Sequence, residues 1–153
     1  MTVSLTVETV STESLDEVRS YLESRAPQPH VERRRVLVVE DDPAQRELFV
    51  TLVTDWGYDV VAVGSAEEAE FSVRRRGVDA AIVDVFLPGR SGESLMGRLR
   101  ERFPELVMVG ISALGDAAMA RRCKVLGADL FLTKPITAED LSLALAGTHT
   151  AWH

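Results

Sequence analysis

Four short stretches hold residues whose types could do chemistry together. Glu40-Asp41-Asp42 follows one apolar run, Asp84 closes a second, Ser112 closes a third, and Lys134-Pro135 follows a fourth. Carboxylates gathered in one place repel one another unless a hard cation sits between them, and Mg2+ (or Mn2+), bound by oxygen ligands and water, suits such a set. A lysine facing the same spot supplies a point charge for a phosphoryl oxygen, and a serine hydroxyl can donate to that oxygen. The combination describes a phosphoryl site, with Asp84 the carboxylate most centrally placed to act as nucleophile. Of the 17 basic residues only Lys124 and Lys134 are lysines, so Lys134 at a strand end stands out in a chain that otherwise uses arginine.

These stretches converge only if the elements before them lie side by side. Strands are expected at Arg35–Glu40, Tyr58–Val63, Asp79–Val85, Leu106–Ser112 and Asp129–Thr133. They alternate with helices at Pro43–Trp56, Ala66–Arg76, Ser91–Phe103, Asp116–Leu126 and Thr137–Ala146. In the first helix Leu48, Leu52 and Trp56 recur at helical spacing and are expected to form its buried face. Runs such as Val36–Val39 and Ala80–Val83 read as strands covered on both faces, as in a parallel sheet flanked by helices. Gly57, Gly77 and Gly127 fall at helix C-termini and Pro43 in a first helical turn. The reading is an α/β fold, a doubly wound five-stranded parallel sheet flanked by five helices, whose working site lies at the carboxyl ends of the strands where their order reverses.

At these residues the chain resembles the receiver domain of two-component response regulators, a flavodoxin-like fold. The matching segments are VLVVEDDP (Val36–Pro43), AAIVDVFLPGRSG (Ala80–Gly92), VMVGISAL (Val107–Leu114) and GADLFLTKPIT (Gly127–Thr137), and the likeness covers Arg35 to Ala146. The resemblance implies that Asp84 accepts a phosphoryl group from a phosphohistidine of a histidine kinase or phosphotransfer protein. It also implies that Asp41 and Asp84 hold Mg2+ directly, Glu40 through water, and the backbone carbonyl of Phe86 completes the protein ligands. Lys134 would grip the acyl phosphate, Ser112 would swing toward it, and Phe131 would be the aromatic switch that turns inward with it. Asp42 is assigned instead to capping the helix that starts at Pro43. Phe86 departs from the family pattern and is expected to shield the phosphate from water and lengthen its life.

Length and composition bound the rest. A chain of 153 residues, 46% hydrophobic and 27% charged, suits one globular domain plus an appendage. The expected parts are an N-terminal extension at 1–34, a receiver domain at 35–147 and a tail at 148–153. In the extension Val3, Leu5 and Val7 alternate like a strand, Ser14 opens a helical pattern, and Ala26–Arg35 reads as a linker; docking on the receiver or a partner, by strand addition, is its expected role. A net charge of −7 disfavours nucleic acid as a partner, and no apolar run is long enough to cross a bilayer. Met1–Val10 lacks the marks of a signal peptide, so the expected location is the cytoplasm.

Eighteen residues follow Pro135. The expected function is a stand-alone phosphorylation-dependent switch that signals to a downstream protein and catalyses only its own phosphorylation and dephosphorylation. The alternatives are a pseudo-receiver that binds partners without phosphate, and a receiver segment of a longer regulator or hybrid kinase. A haloacid dehalogenase-type phosphohydrolase would need a second acid where Phe86 stands, and a dinucleotide enzyme a glycine-rich loop after the first strand. Cys123 reads as a packing residue, Arg74–Arg76 and Arg121–Lys124 as solvated helix faces, and His149 with His153 as tail residues rather than a metal pair.

Overall fold

The structure, a computed structural model, describes residues 33–147. The Val3–Val7 strand, the helix after Ser14, the docking of the extension and the His149–His153 pair lie outside the described residues. Strand β1 (Arg35–Val39) leads to helix α1 (Pro43–Asp55), β2 (Asp59–Val63) to α2 (Ala66–Arg76), and β3 (Ala80–Asp84) to α3 (Gly92–Arg102). After them come β4 (Val107–Ser112), α4 (Ala117–Val125), β5 (Leu130–Thr133) and α5 (Ala138–Gly147). All five strands pair in parallel in the order β2-β1-β3-β4-β5. The order reverses between β1 and β3, which is where the doubly wound plan opens a crevice.

Side-chain alternation along the strands sorts the core into two layers. Leu37, Val39, Ala81, Val83 and Met108 pack with residues of α2, α3 and α4. Val36, Val38, Ile82, Val109 and Ile111 pack on the opposite face with residues of α1 and α5. The central strands β1, β3 and β4 are accordingly buried on both sides, whereas β2 and β5, at the edges, are half open.

Helix starts follow from local chemistry. Asp42 caps α1 by accepting from the Ala44 amide at 3.3 Å, with Pro43 in the first turn where its missing N–H costs nothing. Ser65 caps α2 through the Glu68 amide, and Glu68 reaches back to the Gly64 amide. Ser91 and Asp116 cap α3 and α4 in the same way.

One expectation is corrected. Leu48 is 54% exposed, while Phe49 and Val53 are the buried residues of α1, at 5% and 0%; Leu52 and Trp56 are only half-buried. Both stripes have helical spacing, so spacing alone does not choose between them. The choice is made by where the helix axis lies over Val36, Val38 and Ile82, the surface that Phe49 and Val53 complete.

Candidate functional site

Register builds the site. Val39 pairs with Val83, so the next residues on those strands, Glu40 and Asp84, emerge side by side at the carboxyl edge of the switch point. Glu40 is 1% and Asp84 4% exposed, whereas Asp41, one residue further along the turn, faces solvent. Lys134 follows β5 and reaches over the end of β4. Its Nζ donates to Asp84 Oδ2 at 2.8 Å and to Glu40 Oε2 and Oε1 at 3.0 and 3.3 Å. The Lys134-Pro135 peptide is cis.

The electrostatics follow from burial. Glu40 is pushed up to about 7, first by loss of water around its charge and then by sharing space with Asp84, with Lys134 pulling the other way. Burial works against the Lys134 charge as well, but the hydrogen bonds and charges of Asp84 and Glu40 outweigh it and hold its pKa above the ordinary lysine value. Oxygens of Glu40, Asp41 and Asp84 lie within 4.8 Å of one another. Three carboxylates facing one ammonium leave a negative excess that a divalent ion would balance, and an all-oxygen donor set open to solvent at Asp41 suits a hard cation that keeps some of its water.

The backbone around Asp84 is fixed by close approach. Val85 N–H donates to the Ile111 carbonyl at 2.8 Å, the Phe86 amide to Asp84 Oδ1 at 2.9 Å, and the Gly92 amide to the Val85 carbonyl at 3.0 Å. A β-carbon on Gly92 would strike the Asp84 carbonyl oxygen and stand 2.8 Å from Val85 Cα. Only glycine lets α3 begin this near the strand end. In the sequence Gly92 is only the last residue of the AAIVDVFLPGRSG segment; this steric role depends on a helix packing back on its own strand.

Two expected members stand apart from the carboxylate cluster. Ser112, fully buried, points its hydroxyl along its own loop: Oγ accepts from the Leu114 amide at 3.0 Å and donates to the Leu114 carbonyl at 3.2 Å. The half-buried Phe131 ring packs over Gly110, where a β-carbon would sit 3.4 Å from its edge. Phe86, 47% exposed, stands at the mouth of the loop after Asp84. Arg46 was not marked by its sequence context. Its Nη1 donates to the Glu40 carbonyl at 3.0 Å and closes the space above Gly64, tying α1 to the end of β1.

Outside the site Cys123 packs in the core and the arginine runs lie on solvated helix faces. Cys123 is buried, and burial first, then the Glu93 charge, pushes its thiol up, which keeps it protonated. Arg74, Arg75 and Arg76 are exposed, and Arg122 pairs with Glu93 across to α3.

Acids at the switch point of a five-stranded parallel sheet, with a lysine from the edge strand laid across them, define a receiver-type domain. A family model described as the response regulator receiver domain matches residues 36–146, and the chain belongs to that family. It is 35% identical over 111 residues to a cyclic di-GMP phosphodiesterase of Thermotoga maritima, covering 72% of this chain and 29% of that protein. It is 37% identical over 115 residues to the response regulator protein FleR of Pseudomonas aeruginosa, covering 75% and 24%. The chain thus spans under a third of both relatives, and the phosphodiesterase name belongs to that longer protein. The crystal structure of a CheY-like response regulator receiver domain protein from Methanospirillum hungatei shares the fold, with a TM-score of 0.73 at 21% identity, covering 76% of this chain and 94% of the other. No helix among the described residues is long and apolar enough to cross a membrane.

Proposed function

We propose that the chain is a phosphorylation-dependent signalling switch whose phosphoacceptor is Asp84. The observation that carries this reading is the placement of Lys134 Nζ 2.8 Å from Asp84 Oδ2, beside a second buried carboxylate and a third exposed one. An Asp84 oxygen forms the bond to phosphorus as the bond from phosphorus to the imidazole nitrogen of a phosphohistidine breaks, the electron pair leaving with the ring. The donor is a histidine kinase or phosphotransfer protein. Glu40, Asp41, Asp84 and the Phe86 carbonyl would hold Mg2+ (or Mn2+), with Glu40 acting through water. The cation, when bound, neutralises charge on the transferring phosphoryl oxygens.

Lys134 then exchanges part of its contact with Asp84 and Glu40 for an oxygen of the acyl phosphate. Ser112 leaves Leu114 to donate to another, and Phe131, half-buried beside Gly110, turns further inward as the loop moves. A downstream protein reads the altered surface. Positioning and charge account for the chemistry, which extends to the domain's own phosphorylation and dephosphorylation and to no metabolite. The domain occupies 35–147 between an extension at 1–34 and a tail at 148–153, and works in the cytoplasm.

Borohydride reduction of the phosphorylated protein tests the assignment, because it converts an aspartyl phosphate to homoserine. Homoserine at position 84 in a peptide map is expected; homoserine at another position, or none, would overturn it.

A further inference from the structure

The loop from Val85 to Ser91 carries the Phe86 carbonyl, and its two ends are held tightly: Val85 by Ile111, and Gly92 by Val85. Between them Leu87 is buried, and the tip is tied elsewhere by charge. Arg90 Nη1 lies 2.8 Å from Glu70 Oε1 on α2, and Glu67 of the same helix stands 3.9 Å from Arg90 Nε. The same Glu70 oxygen takes a second cation, Arg98 Nε of α3, at 2.8 Å. Exposed ion pairs contribute little, but the paired atoms here are withdrawn from water. The Glu70 side chain is 14% and the Arg90 side chain 30% exposed, and Glu70 Oε1 and Arg90 Nη1, held together by charge without a well-aligned hydrogen bond, are both shut off from solvent. Screening by water and salt is weak there, and loss of Glu70 would leave the buried Arg90 Nη1 without its near counterion, with only Glu67 at 3.9 Å from Nε.

We infer that Glu70 is a positioning residue for the phosphoryl site: through Arg90 it clasps the loop after Asp84 to α2 and so holds the Phe86 carbonyl where a cation would need it. The inference rests on the metal-dependent reading given above. Arg98 provides an internal contrast, since it shares the Glu70 oxygen but belongs to a helix already fixed by Leu95, Met96 and Leu99 in the core. Removing Arg98 takes charge from the cluster without freeing the loop.

The test compares wild type, Glu70→Gln, Arg90→Ala, Arg90→Lys and Arg98→Ala in the full chain. Two readouts are taken: Mg2+ affinity by calorimetry, and hydrogen exchange of the Leu87, Gly89, Arg90 and Ser91 amides in metal-free protein. Glu70→Gln and Arg90→Ala are expected to weaken Mg2+ binding about tenfold, in the range of other residues that act on a metal through its ligands, and to speed exchange at those amides. Arg90→Lys recovers most of both, and Arg98→Ala leaves both near wild type. Loop exchange unchanged in Glu70→Gln, or an Arg98→Ala variant as impaired as Arg90→Ala, would overturn the clasp. Wild-type protein that takes up no Mg2+ would overturn the metal reading instead, and the exchange data would still decide the clasp.

Discussion

Lys134 meets Asp84 across 50 residues of sequence, its Nζ donating to Oδ2 at 2.8 Å, and the same ammonium is the counterion of Glu40. One cation therefore offsets two carboxylates that are almost wholly buried. Lys134→Gln keeps much of the side-chain length and removes the charge. In metal-free protein it is expected to lose about 3 kcal/mol in chemical denaturation, the cost of leaving buried charge uncompensated. Added Mg2+ should recover part of that loss. Unchanged stability in Lys134→Gln would show that the ion cluster contributes nothing to the fold.

The raised Glu40 pKa fixes the sign of a pH effect. Folding moves it from 4.5 to about 7, so between those values the folded protein binds more protons than the unfolded chain. The associated stability is fully present below about 4.5 and is lost as pH rises through 7. Lys134, raised from 10.5, keeps its contribution throughout this window. In metal-free protein, wild type should lose about 2 kcal/mol relative to Glu40→Gln between pH 5 and pH 8, measured as the gap between their denaturation curves. A gap independent of pH would contradict the buried, proton-binding role of Glu40.

Phe86 sets a prediction about lifetime. Its ring is half exposed two residues after Asp84, and a bulky apolar group there would hinder water on its way to an acyl phosphate. Phe86→Asn should shed its phosphoryl group several-fold faster than wild type when decay is followed by intact mass. Equal decay rates would remove the shielding role.

Gly89 in the loop after Asp84 and Gly92 at the start of α3 should behave differently. Gly89 has φ of 75° with open space around it, so Gly89→Ala costs only backbone strain, about 1 kcal/mol. Gly92→Ala forces a methyl group into the backbone of Asp84 and Val85, at about 3 kcal/mol, the upper end for overpacking. It should also slow phosphorylation, because Asp84 must shift to admit it. Thermal melts and phosphorylation rates of the two variants check this together.

The legible parts of this protein were those encoded within one strand and the residue after it. A buried parallel strand is a continuous apolar run, so the positions of Glu40, Asp84, Ser112 and Lys134 at strand ends could be read directly, and the convergence of Glu40, Asp84 and Lys134 follows from strand order. Asp42 as a cap was legible for the same reason, since the cap and the amide it binds are two residues apart. Features set by contacts between distant segments were not. The exchange of Leu48 for Phe49 on the buried face of α1 depends on where that helix settles. The fit of Gly92 beneath Asp84 depends on how α3 returns to the sheet. Glu70, Arg90 and Arg98 look like ordinary surface charges until α2 and α3 bring them together. The Ser112 hydroxyl was legible as a donor, but not its engagement with Leu114.

The claim that Asp84 is the phosphoacceptor is tested most directly by intact mass after incubation with acetyl phosphate and Mg2+. Wild type is predicted to gain one phosphoryl group, roughly 80 Da, and Asp84→Ala to gain none. The same gain in Asp84→Ala, or a wild-type protein whose mass does not change, would contradict the account.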